Sequence, residues 1–299
     1  PAVTRLRHLR PGLLPWPKVA FLMRPLRALV LGLALVAGPL GAQTTDAPLR
    51  VVSMNLCTDQ FALMLAASEQ LISVSYVSAD PVTSPLADIA SRYLLNHGSA
   101  EEIYLMRPDL VLAGPWTDPA ALAMLRRLGV TVERIDGVSQ LSDIPDRLRH
   151  YGQLLGQEAK AETLIRQFEA DLAALSAPQD GPRAVLYFPN GYSLGEGTLS
   201  HEILTRAGFR NIATEIRPSA TGQIALELLV MTAPDLIIRD RPYPGASRAE
   251  ELMHHPALAA LIAAGAGHES GPDWACGTPR VIAALRALVE MRQAMEGGS

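Results

Sequence analysis

The stretch Glu102-Ile-Tyr-Leu-Met-Arg-Pro-Asp-Leu-Val-Leu112 returns later in the chain as Glu227-Leu-Leu-Val-Met-Thr-Ala-Pro-Asp-Leu-Ile-Ile238, one residue longer. Each version reads as a short helix stopped by proline, which removes a helical hydrogen bond and clashes with the turn before it. Each then releases an apolar run that opens with Asp-Leu. A second echo pairs Arg126-Arg-Leu-Gly-Val130 with Thr205-Arg-Ala-Gly-Phe209: a helix end, a glycine and a strand start. A chain that repeats helix-into-strand units in both halves is confined to few folds. It predicts two related Rossmann-like α/β lobes, each a parallel sheet with helices on its faces.

The first lobe offers apolar, β-branched strands over 49–54, 71–75, 110–113 and 130–135, with a helix over 59–67. The second restarts with a strand over 184–188. Between them Ala161, Leu164, Ile165, Phe168, Leu172 and Leu175 recur at spacings of three and four, the face of a long helix. Pro178, Gly181 and Pro182 end it. The organisation predicted is an upstream segment and signal peptide over 1–42, an N-terminal lobe over 49–145, a connector helical segment over 146–182, and a C-terminal lobe with a final helix over 183–299.

The export signal rests on three features in series. Met23-Arg-Pro-Leu-Arg27 is a basic start, residues 28–40 (ALVLGLALVAGPL) are apolar, and Gly41-Ala42 are small. The apolar run is shorter than the ~20 residues that a membrane-spanning helix needs. Cleavage near Ala42 gives a chain starting at Gln43, and residues 1–22 read as upstream sequence. No Cys follows Ala42, so a lipid anchor is not indicated. Six of the 26 Lys and Arg precede Gln43 and none of the 30 acids does, leaving 20 against 30, a formal −10 where the whole chain has −4. Nucleic acid is a poor partner for such a surface. An exported chain meets an oxidising compartment, so its two cysteines, Cys57 and Cys276, suggest one disulfide, with two separate thiols as the alternative.

Gly191-Tyr-Ser-Leu-Gly195 matches the nucleophile-elbow pattern of serine hydrolases, which needs a strand, a tight turn at the serine and a helix at once. A strand over 184–188 precedes it. The residues after Ser193 fit badly, because Gly195 and Gly197 occupy the first helical turns and each costs about 1 kcal/mol there. The helix starts more naturally at Thr198 or Ser200, with Glu202 completing a cap. His254, His255 or His268 with Asp235 or Asp240 could complete a triad, but no His-Gly-Gly oxyanion segment lies upstream. Residues 190–197 therefore read as a glycine-rich loop. A secreted serine hydrolase using Ser193 is the alternative reading.

Export, two lobes and a joining helix bring several stretches together. They are Arg50-Val-Val-Ser-Met-Asn-Leu-Cys-Thr-Asp-Gln60, Val74-Ser-Tyr-Val-Ser-Ala-Asp-Pro81, Ala100-Glu-Glu-Ile-Tyr-Leu-Met-Arg-Pro-Asp-Leu-Val-Leu112, Leu125-Arg-Arg-Leu-Gly-Val130, Leu204-Thr-Arg-Ala-Gly-Phe-Arg-Asn-Ile212, Asp273-Trp274 and Pro279-Arg280. In this order and spacing the chain resembles a periplasmic substrate-binding protein of an ABC importer, of the class joined by one rigid helix that carries ferric siderophores, haem or cobalamin. The resemblance covers nearly all of 49–295 and implies a monomer, not an enzyme, with no cofactor and no metal of its own. It implies a bulky metal chelate held between the lobes, and a membrane permease as partner.

Sheets of this kind also bind ligands beyond the carboxyl ends of their strands. Side chains just after strands are then the ligand candidates: Tyr76, Trp116, Tyr187, Phe188, Tyr192, Arg239, Arg241 and Trp274. Arg239 and Arg241 would suit the carboxylates of a ferric siderophore or haem. A cobalamin binder would be expected to show a Trp in Ser219-Ala-Thr-Gly-Gln-Ile224, and none stands there. That ranks siderophore or haem before cobalamin. The resemblance further implies one acid per lobe for docking to permease arginines. Glu101 matches the first. Where cobalamin-binding members carry the second, this chain has Thr205, which leaves Glu202, one turn earlier, as substitute. A free-metal site would want several clustered His and carboxylates, which the chain lacks.

Overall fold

The computed structural model describes residues 50–175, 180–217, 221–241 and 248–297. The export signal over 1–42, Pro178 and Ser219-Ala220 lie outside them. Strands β1 (Val51–Ser53), β2 (Leu71–Ser75), β3 (Leu94–Asn96), β4 (Leu110–Ala113) and β5 (Thr131–Arg134) form one sheet in the order β3-β2-β1-β4-β5, parallel throughout. Helices α1 (Leu56–Leu65), α2 (Ala87–Ala90), α3 (Ala100–Leu105) and α4 (Pro119–Arg127) connect and flank these strands. Caps explain where three of them start. Asn55 accepts from Cys57 N at 3.0 Å, Ser99 from Glu102 N at 3.2 Å, and Asp118 from Ala120 N at 3.0 Å ahead of Pro119.

The connector is two helices, α5 (Asp143–Leu155) and α6 (Glu158–Ala174). The break falls at Gly156, whose left-handed backbone (φ 64°) ends α5. The 17-residue α6 is the long member and buries Ala161, Ile165 and Phe168, three positions of the predicted face. In the second lobe β6 (Arg183–Leu186), β7 (Tyr192–Leu194), β8 (Arg210–Asn211), β9 (Thr221–Gln223), β10 (Leu236–Arg239) and β11 (Gly267–Glu269) alternate with α7 (Leu199–Arg206), α8 (Ile212–Ile216), α9 (Leu226–Thr232) and α10 (Pro256–Leu261). Four strands make a parallel sheet in the order β11-β10-β6-β8, and β7 pairs antiparallel with β9. The final helix α11 (Val281–Gly297) buries one face, including Leu285 and Leu288, in a core that both lobes and the connector share.

The repeated motif has one atomic explanation in both lobes. Ahead of β1, the Arg50 side chain donates to the carbonyls of Arg107 (3.0 Å) and Met106 (2.6 Å), just past the end of α3, while Arg50 N donates to Asp109 Oδ2 at 2.9 Å. At the start of β6, Arg183 Nη1 donates to Thr232 O at 2.7 Å, the last residue of α9, and Arg183 N donates to Asp235 Oδ2 at 2.7 Å. In both copies the residue before the proline is left-handed, Arg107 at φ 50° and Ala233 at φ 44°. Such a conformation is uncommon for residues other than glycine. The guanidinium satisfies carbonyls that a helix end leaves without partners, and the aspartate joins the amino ends of two neighbouring strands. The Asp-Leu and Pro of the repeat are the parts of a clasp.

Asp109→Ala and Asp235→Ala should each lower stability by about 1–3 kcal/mol, the cost of leaving a strand-end amide unpaired. Their effects should add, since the clasps lie in separate sheets. Urea unfolding checks this, and unchanged midpoints in both single variants would contradict it.

Candidate functional site

The carboxyl ends of the strands inherit what the clasps arrange. In the first sheet the chain runs outward from β1 through β2 to β3, then returns to the other side of β1 for β4. In the second, β6 is flanked by β8 on one side and β10 on the other. Each is a switch point where the connections leave a crevice beyond the strand ends. Between β1 and β4 the crevice opens on Asn55, Leu56, Gly114, Pro115 and Trp116; between β6 and β10 it opens on Phe188, Pro189, Asp240 and Arg241. Gly114 is required by the first of these, since a Cβ there would stand 2.6 Å from the Asn55 side chain.

Two adjoining cavities occupy the space between the lobes. One, of about 430 Å³, lies against the second lobe between Phe188, Asp240, Arg241, Glu250 and Trp274; the other, of about 460 Å³, reaches Trp116 and Asp136 of the first lobe. They share Leu56, Leu194, Ser200, Trp274 and Ala275. Both volumes fall in the range of ligand pockets. The second cavity also touches Phe61 and Tyr151, rings stacked at 4.5 Å and 7°. Burial pushes the Tyr151 phenol up, so it stays neutral.

A short strap closes the base. Pro272–Trp274 forms a 3-10 turn that an ion pair from Arg280 Nε to Asp273 Oδ1 (3.2 Å) holds. Beyond it Cys276 bonds Cys57 on α1, Cα atoms 5.3 Å apart across 219 residues of chain, and Thr278 Oγ1 bonds Gln60 Oε1 at 3.1 Å one turn along. Gly277 packs where a Cβ would fall 2.2 Å from Val138 Cβ. Glu202 adds a further crossing, its Oε2 accepting from Leu141 N at 2.5 Å. A disulfide that closes so long a loop contributes about 5 kcal/mol on the chain-entropy account.

Of the residues selected from sequence, Trp116, Phe188, Arg241 and Trp274 line the two cavities. Trp116 is 91% exposed, an indole standing in open solvent at the cleft mouth. Tyr76 is half-exposed and stacks on His97 at 5.0 Å, outside both linings, as is Tyr192. Tyr187 is fully buried, its hydroxyl donating to Ile224 O at 3.1 Å. Arg239 is paired with Glu269 at 2.9 Å and Arg241 stands 4.0 Å from the same carboxylate. Glu101 is exposed in the first turn of α3.

Residues 190–197 are not wholly loop: Tyr192–Leu194 is a strand whose Ser193 faces Gly222 of β9. Ser193 is 2% exposed and its Oγ has no partner among the described residues. A helix starts only at Leu199, capped by Thr198 through His201 N at 3.2 Å. The serine thus sits in a two-stranded antiparallel ladder, without the turn that a nucleophile elbow needs, and among the described residues no base is hydrogen-bonded to its Oγ.

Three polar residues were not among the ligand candidates taken from sequence, although Asp240 was weighed there as part of a triad. Asp240 lines the cleft space of the second lobe with Ser270 Oγ on its Oδ1 at 3.0 Å, and burial raises its pKa against that bond. Glu269 holds the arginines. Asp59 on α1 is fully buried, its Oδ2 accepting from Ser75 N, Ser75 Oγ and Ser78 Oγ, and burial raises its pKa to about 6. An aspartate two residues from a cysteine carries no sequence mark of burial; Asp240, flanked by the arginines, did lie directly after a predicted strand. Among the described residues no group of three or more His, Cys, Asp or Glu is placed to hold a metal ion, and no helix is long and apolar enough to cross a membrane.

Comparison with known proteins agrees with this geometry. The chain is 27% identical over 251 residues to the vitamin B12-binding protein of Photorhabdus laumondii, covering 82% of this chain and 88% of that one. It is 23% identical over 197 residues to the cobalamin-binding protein of Halobacterium salinarum, and there it spans about half of the relative, 53%. In fold it is similar to the periplasmic haem-binding protein HutB of Vibrio cholerae, with a TM-score of 0.67 at 19% identity over 81% of this chain and 98% of that one. The proteins it matches bind solutes and are not enzymes. A family model described as periplasmic binding protein matches residues 51–268; the chain belongs to that family.

Proposed function

We propose that the protein is the exported, monomeric solute-binding component of an ABC importer, and that it takes a bulky metal chelate of the corrinoid class into the cleft and delivers it to a membrane permease. The observation that carries this reading is that the switch points of both sheets open on one cleft, walled by aromatic side chains from both lobes. Trp116, Phe188 and Trp274 offer flat apolar contact, and burying a large aromatic contributes about 1.5–3 kcal/mol. Two or three such contacts support micromolar binding after the costs of association. Arg241 lines the same site, whereas Tyr76, Tyr192 and Arg239 lie outside both linings.

Two points rank a corrinoid ahead of haem or a ferric siderophore, the reverse of the order drawn from sequence. The relatives from Photorhabdus laumondii and Halobacterium salinarum bind vitamin B12 or cobalamin. The charged residues lining the two cavities are Asp136, Asp240 and Glu250 against Arg241, a balance that repels a dicarboxylate. Cobalamin presents carboxamides instead. Export by the signal peptide read within 1–42, cleaved near Ala42, fits the same role.

Docking rests on one exposed acid per lobe. Glu101 is exposed on α3, and in the internal repeat the exposed acid of α9 is Glu227. Glu202, the acid chosen from the resemblance, already accepts from Leu141 N.

Titrating residues 43–299 with cyanocobalamin should quench tryptophan fluorescence saturably, since Trp116 and Trp274 are the two tryptophans left. Trp116→Ala or Trp274→Ala should weaken binding about tenfold, a loss of ~1.4 kcal/mol. Absence of saturation would contradict the reading. The second test is uptake by cells. Glu101→Lys with Glu227→Lys should abolish it at unchanged ligand affinity, because like charges at an interface cost several kcal/mol. Glu202→Lys should instead lower thermal stability. Undiminished uptake by the double variant would remove the docking assignment.

A further inference from the structure

The register of β10 and β11 sorts charge onto two faces. Arg239 stands opposite Glu269 in the parallel ladder, so their side chains share one face and meet at 2.9 Å. The next residues, Asp240 and Ser270, fall on the other side, since successive side chains alternate along a strand. Ser270 N donates to Arg239 O at 2.8 Å, which holds the two segments in step past the end of the ladder. There Ser270 Oγ donates to Asp240 Oδ1 at 3.0 Å, and both residues line the cavity of about 430 Å³. Arg241 adds its Nε at 4.0 Å from Glu269 Oε2, while Arg239 takes Oε1. One carboxylate therefore hydrogen-bonds Arg239 and stands at ion-pair distance from the more exposed Arg241. Among the described residues the one hydrogen bond to Asp240 is that from Ser270 Oγ to Oδ1.

The inference from this pattern rests on the corrinoid reading and deepens it. We propose that Asp240 is a specificity-determining residue, accepting N–H groups of an uncharged, carboxamide-bearing chelate, and that Glu269 is a positioning residue that keeps Arg239 and Arg241 from recruiting a carboxylate-bearing one. An ionised carboxylate only accepts hydrogen bonds and a guanidinium only donates them. An amide fringe therefore pairs with Asp240, whereas a carboxylate fringe is repelled by it, finds Arg239 engaged and meets Glu269 as a competitor for Arg241. Peripheral carboxamides and their hydrolysed carboxylates differ in little but this charge, so the cleft discriminates between them on one scaffold. Rejection by an unpaired or repelled polar group is worth more than a change in apolar fit.

The test uses two probes, cyanocobalamin and its monocarboxylic acid derivatives, titrated calorimetrically against residues 43–299 and against Asp240→Asn, Asp240→Ala and Glu269→Gln. The unmodified protein should prefer the carboxamide by about tenfold or more, the scale of a hydrogen bond to a charged group. Asp240→Ala should weaken cyanocobalamin about tenfold. Asp240→Asn, which keeps a neutral acceptor and removes the charge, should weaken cyanocobalamin less than Asp240→Ala does and lose most of the discrimination. Glu269→Gln should tighten the carboxylate probe while changing cyanocobalamin less than about threefold, a pattern that general loosening does not produce. Thermal melts of each variant establish folding. A preference unchanged in folded Asp240→Asn and Glu269→Gln overturns the inference alone. Failure of the unmodified protein to bind either probe overturns the corrinoid reading, and the inference with it.

Discussion

Each lobe hangs on an arginine at the start of one strand and an aspartate at the start of its neighbour. Arg50 and Asp109 join β1 to β4, and Arg183 and Asp235 join β6 to β10. Both pairs are the strands on either side of a switch point. The clasp fixes the amino ends of the two strands and absorbs the carbonyls of the preceding helix end. The opposite ends are then free of connections that would fill the crevice, and that is where a ligand finds room. The duplicated stretch that makes the fold legible is therefore also what positions the cleft.

The strap limits how that cleft changes. A disulfide, the Gln60–Thr278 bond and the contact of Gly277 with Val138 tie the segment before α11 to the first lobe along the base of the cleft. Glu202 and Leu141 add a crossing of their own. Lobes linked at several points move by small rotations more readily than by wide opening. The cost of ordering the site is met mainly during folding, and a preformed cleft loses less on binding. Pro272, Trp274, Cys276 and Gly277 of the strap are cavity walls as well, so the restraint and the recognition surface are one segment.

Much of this was readable from residue order. Proline after a helical stretch and Asp-Leu before an apolar run gave β4 and β10; the even cysteine pair, read with the expected export, suggested the disulfide that joins Cys57 to Cys276. Other features leave little trace. The connector reads as one helix because the apolar spacing over 161–175 says nothing about the chain before it, and a single left-handed Gly156 makes the break. The antiparallel pair of β7 and β9 has three residues per strand, too few for a period of two to stand out among glycines. Arg239 and Arg241 looked available because their partner, Glu269, is distant in sequence and close only through the register of β11. Asp59 is the plainest case: its burial depends on where the loop carrying Ser75 and Ser78 returns, which no local pattern records.

The central claim is that one ligand is gripped by the switch points of both sheets at once. Hydrogen–deuterium exchange of residues 43–299, with and without saturating cyanocobalamin, tests it most directly. Protection should appear together in peptides covering 54–57 and 114–116 of the first lobe, 186–189 and 240–241 of the second, and the strap at 270–277, while the clasps at Arg50 and Arg183 stay unchanged. Protection confined to one lobe, or centred on Ser193 and Gly222 away from the strand ends, would contradict the account.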